Sequence, residues 1–156
     1  MLHIETIHDL NLNIFSMAAR QALINSVAIA KKQKREDRYA HTGDIARGII
    51  YDCSTPAAET LAELGLRYIT PLIQRDLASS EEMLEADFKN NFTRDAIEAF
   101  LIGAEAAEER SSTNIEISTE DILLGMAQLE DTDFERLLIA HGKSRSEFRK
   151  LISTIR

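Results

Sequence analysis

Slid against itself by 77 residues, the chain matches without a gap from Phe15–Gly65 onto Phe92–Gly142. Eleven of the 51 aligned positions are identical. Phe15 falls on Phe92, and Ala19, Ala22 and Ala30 fall on Ala96, Ala99 and Ala107. Thr42, Asp44, Ile45 and Gly48 fall on Thr119, Asp121, Ile122 and Gly125, while Thr55, Leu61 and Gly65 fall on Thr132, Leu138 and Gly142. Alanines in register say little in an alanine-rich chain, but glycines, threonines and a phenylalanine in one register say a good deal. Self-similarity at a fixed offset implies one unit folded twice, each copy burying its apolar stripe against the other.

Each unit reads as four helices. In the second, Phe92, Ala96, Ile97, Phe100, Leu101 and Ala104 recur at three- and four-residue spacing and make one apolar stripe. Asn91 is its expected N-cap, and the helix is expected to fade into the polar run 111–114. Ser118 or Thr119 caps the next helix, with Glu120 and Asp121 placing negative charge on its first turn. A third helix runs from about Thr132 to a left-handed stop at Gly142, and a fourth carries Phe148, Leu151, Ile152 and Ile155. The first unit repeats this with Thr42 as cap and Gly65 as stop; Pro56 suits a first helical turn, and Pro71 kinks or opens the fourth helix. The polar, acidic stretch Ala78–Asn90 reads as a connector. The expected division is repeat one at 15–77, connector at 78–91 and repeat two at 92–155, all within one module spanning 1–156.

Composition agrees with an all-α chain. Trp is absent, aromatics make up 6% of residues, and 44% are hydrophobic. Charges interrupt every apolar run before the ~20 residues of a membrane span, so no membrane partner is expected. The start, MLHIETIHDLNLN, has neither a basic leader nor an apolar core, so no secretory signal is expected and the cytoplasm is the default address. A single cysteine, Cys53, cannot form an internal disulfide. Net charge is -8, which disfavours phosphate backbones and hence nucleic acid. The basic run Lys31-Lys32-Gln33-Lys34-Arg35 opposes that trend, but it belongs at a helix C-terminus, where cations complement the dipole.

Residues for chemistry are sparse. Gly142-Lys143-Ser144 lacks the phosphate loop's first glycine, which Leu137 replaces. His3, His8, His41 and His141 are not set at metal-ligand spacing with Cys53, apart from a weak His3–His8 pair. Glu81-Glu82, Glu105 and Glu108-Glu109 read as solvated faces rather than acid–base pairs. No enzyme activity, metal or cofactor is expected, which leaves recognition by surface. The start of the second helix, with Thr119, Glu120 and Asp121 in one unit and Thr42 and Asp44 in the other, mixes amide donors with carboxylates. It is the candidate partner-binding site.

The order of a Phe-Ser/Thr start, an alanine-spaced helix, a threonine-acid cap and a later leucine-glycine resembles the double Clp N-terminal repeat of Clp/Hsp100 unfoldases. FTRDAIEAF, STEDILLGM and LLIAHG carry the likeness best. The resemblance covers Phe15 to about Ile155. It implies two pseudo-symmetric four-helix halves, and recruitment of substrates or adaptor proteins to a Clp-type ATPase. Small stand-alone relatives raise a rival reading, an accessory subunit that regulates such a complex without touching substrate. In some members a cap glutamate in each half helps hold phosphoarginine on a tagged protein. Only Glu120 matches that position, Gly43 standing at the other, so the resemblance implies at most one such site.

Overall fold

The computed structural model describes residues 10–52, 54–111 and 113–155. Cys53, Ser112, His3 and His8, with the rest of 1–9, lie outside them. Among the described residues the chain is all-helical, with no named strand. The helices are α1 (Met17–Lys32), α2 (Thr42–Asp52), α3 (Pro56–Glu63), α4 (Gln74–Ala86), α5 (Arg94–Arg110), α6 (Thr119–Ala127), α7 (Asp133–Ala140) and α8 (Arg145–Ser153). None of these is long and apolar enough to cross a membrane.

Local capping chemistry sets where the helices begin. The side chains of Ser16, Thr93, Thr55 and Thr132 accept from the amide three residues on, opening α1, α5, α3 and α7. Ser118 and Asp121 form a reciprocal capping box on α6. Pro56 occupies the first turn of α3, where it needs no amide donor. Both α3 and α7 end on a left-handed glycine, Gly65 at φ 85° and Gly142 at φ 73°. The following amides, of Leu66 and Lys143, reach back to the carbonyls of Leu61 and Leu138.

Packing follows the same spacing. α1 lies on α2 and α5 on α6, each pair crossing closely enough that Gly48 sits on the Ala22 carbonyl and Gly125 on the Ala99 carbonyl. Two isolated parallel bridges join Phe15 to Ile117 and Ala40 to Phe92. Advancing Phe15 and Ala40 by 77 gives Phe92 and Ile117, so the two bridges pair positions that correspond at that offset. Phe15, Phe88, Phe92 and Phe100 meet beside them in a buried aromatic cluster, with neighbouring centroids 4.9–5.8 Å apart.

Four expectations are corrected. Asn91 does not cap α5; Thr93 does, while the Asn91 side-chain Nδ2 donates to the carbonyls of Met83 and Asp87 at the end of α4. Thr42 is the first residue of α2, not its cap, because the His41 carbonyl already accepts the first helical bond. The stretch read as a connector is largely helix α4, anchored by buried Ser80 and Leu84 and followed by buried Phe88. Pro71 precedes that helix in an extended segment, since proline disfavours helix in the residue before it. Lys31 and Lys32 occupy the last turn of α1 as expected.

Candidate protein-binding site at the helix starts

α6 begins on a buried carboxylate. Asp121 accepts from the Ser118 amide at 2.9 Å and the Ser118 hydroxyl at 3.0 Å, and takes both terminal nitrogens of Arg110 at 2.7 Å. Its side chain is 1% exposed, against 48% for Arg110. Burial works against the charged carboxyl, but the guanidinium and the two Ser118 donors outweigh it. The group therefore titrates below the ordinary aspartate range. Hydrogen bonding to Asp121 raises Arg110 in turn.

α2 begins the same way with other parts. Asp44, its side chain fully buried, accepts from the His41 amide at 3.0 Å. Arg35 and Arg47 bind its two oxygens, with Arg47 at 3.2 Å. Each of the two equivalent aspartates thus already holds an arginine of this chain, so a partner's guanidinium meets no empty carboxylate there.

Thr42 and Glu120 each reach a helix distant in sequence. The Thr42 hydroxyl accepts from the Phe134 amide in the first turn of α7, at 2.8 Å. Glu120 Oε2 accepts from the Ala57 amide in the first turn of α3 at 3.1 Å, and from the Thr119 hydroxyl at 2.7 Å. Gly43 stands where a side chain would run into the carboxylate of Asp133, the first residue of α7. One seam thus takes its carboxylate from Glu120 on α6, and the other takes it from Asp133 on α7. Replacing Thr42 by valine is expected to cost about 1–2 kcal/mol, because the buried Phe134 amide loses its acceptor. Serine should retain most of that. Urea unfolding checks it; a valine variant as stable as the parent would show that the bond contributes nothing.

Of the five candidate residues, Thr42, Asp44, Thr119 and Asp121 are buried and only Glu120 is partly exposed. They fall at two helix starts rather than in one cluster. Around Glu120 lies a shallow depression of about 350 Å³ lined by Arg110, Ser118, Glu120, Asp121 and Ile155. Its accessible chemistry is a guanidinium fixed by Asp121 beside a carboxylate fixed by Ala57 and Thr119. Held groups of both signs suit polar recognition of a partner. Sequence pattern does not single out Arg110. Its only signal is an arginine 11 residues before the α6 aspartate, as Arg35 stands 9 before Asp44. Among the described residues no group of three or more His, Cys, Asp or Glu side chains could hold a metal ion. Compared with protein-family models and with curated proteins, the chain finds no match in either comparison.

Proposed function

We propose that this chain is a protein-binding module, built as two tandem four-helix repeats of the Clp N-terminal kind, that recruits substrates or adaptor proteins to a Clp-type ATPase. The observation that carries the reading is the exchange of the cross-half bridges, Phe15–Ile117 with Phe92–Ala40, at the same offset as the repeat. The caps and glycine stops 77 residues apart support it as well. Binding occurs at the Glu120–Arg110 depression, where fixed groups of both signs meet solvent. A phosphoarginine side chain has the charges to span them, its guanidinium toward Glu120 and its phosphate toward Arg110.

The test is calorimetric titration of the chain with a Clp-type ATPase ring, with an unfolded substrate protein, and with phosphoarginine. Binding of substrate or phosphoarginine supports recruitment. Binding of the ring alone favours the accessory subunit, and binding of none retires both. Glu120→Gln keeps an acceptor for Ala57 while removing the charge, so it is expected to weaken partner binding on the order of tenfold with little change in stability. Glu120→Ala removes the acceptor too, and should lower stability by about 1 kcal/mol. Unchanged affinity in Glu120→Gln would remove Glu120 from the site.

A further inference from the structure

We infer that the face formed by α1 and α4 is a self-complementary interface that takes a second copy of this chain in a two-fold pair. The two helices run antiparallel. Lys32, at the end of α1, pairs with Asp76 in the first turn of α4 at 3.8 Å, while Met17, Arg20 and Ile24 share a groove with Glu81 and Glu85. This arrangement sorts charge along the face. One end carries Lys31, Lys32, Lys34 and Arg75, with Asp76 among them and exposed Glu36 beyond. The other carries exposed Glu81, Glu82, Glu85 and Asp87, with Arg20 beside them, its Nε held by the Phe15 carbonyl at 2.9 Å, and half-buried Lys89 beyond.

Arg75 and Glu85 stand ten residues apart on α4, which separates the ends by about 15 Å, more than a Debye length at physiological salt. A two-fold axis lying in the plane of the face, perpendicular to the two helices, lays the basic end of each copy on the acidic end of the other, so each favourable contact is made twice. The groove at the acidic end, about 590 Å³, gives lysine stems a place to lie. Met17 on its rim, 83% exposed, and Met83 on α4, 39% exposed, offer apolar cover. An acidic protein whose cations gather at one end of such a face fits its own copy better than it fits a uniformly charged partner.

Sedimentation equilibrium of the full chain tests this. A dimer is expected at about 50 mM salt, weakened by roughly tenfold or more at about 500 mM. Glu81→Lys with Glu85→Lys, and separately Lys31→Glu with Lys34→Glu, should each leave a folded monomer by circular dichroism. Mixing the two variants should restore a pair, because one copy is then basic at both ends and the other acidic at both. A chain monomeric at every salt concentration, a dimer indifferent to either reversal, or a mixture that fails to pair would each overturn the proposal.

Discussion

Replacing Gly125 by alanine is expected to lower the unfolding free energy by about 2–3 kcal/mol, although alanine is the better helix former by about 1 kcal/mol. The sign turns on what the new methyl group meets. It would overlap the Ala99 carbonyl oxygen and come within 2.8 Å of its carbon and 3.0 Å of its Cα. These are backbone atoms in the middle of α5, so no rotamer change can clear them. α6 must instead retreat, loosening Ile122, Leu123 and Met126 from a fully buried core. For a chain of this length the melting temperature should fall by about 5–10 °C.

Gly48→Ala should behave alike, since it meets the Ala22 carbonyl and the Ser26 side chain at the α1–α2 crossing. Gly142→Ala is the control, because nothing crowds it and only its φ of 73° is strained, worth about 1 kcal/mol. Thermal and urea unfolding of the three variants checks the order. A Gly125→Ala protein within a degree or two of the parent would mean that the crossing yields easily. Sensitivity at one crossing and not the other would mean that the two crossings are not packed alike.

What the sequence disclosed about the fold was what local chemistry determines. Thr55 and Thr132 cap amides three residues away, and Gly65 and Gly142 turn the chain where they stand, so short spacing alone locates them. The all-helical class could be read for the same reason, whereas Gly48 and Gly125 were legible as matched positions and not as helix crossings. A fourth helix was expected near Pro71, but most of α4 read as linker because its outward face is acidic and its inward face rests mainly on Ser80 and Leu84, too little apolar pattern to separate a helix from a linker. Its start is also displaced. The position 77 before the first residue of α8 is Tyr68, yet Pro71 holds that stretch extended and α4 begins at Gln74.

The candidate site was half legible. Residue type marked Thr42, Glu120 and Asp121 as groups that satisfy helix starts, and they do. Which helix each one serves depends on partners 92 and 63 residues away for Thr42 and Glu120, and no local pattern encodes that. Arg110 was invisible for a further reason: a cation in the last turn of a helix already has an explanation in the helix dipole. Its second task, neutralising a carboxylate on the next helix, appears only once α5 and α6 are packed.

That second task carries the last large effect. Arg110→Ala takes the guanidinium away from the buried Asp121 carboxylate and leaves the Ser118 donors in place, and is expected to cost about 2–3 kcal/mol. This lies at the lower end for a broken buried pair, because the guanidinium is half exposed and water can replace part of it. Lysine should recover only part of the loss, since it cannot make the two-pronged contact. The pH dependence separates this cause from simple loss of packing. In the parent the folded carboxyl titrates below its unfolded value, so its stabilisation is fully present above about pH 5 and is lost as pH falls through the folded value. Without Arg110 its largest counterweight to burial is gone, and acid then relieves the variant by neutralising a poorly compensated charge. The gap between parent and variant should therefore be widest at about pH 7 and narrow below about pH 4. Urea unfolding at several pH values measures it. A gap of constant size across that range would mean that Arg110 stabilises α5 and α6 by its stem rather than by its charge.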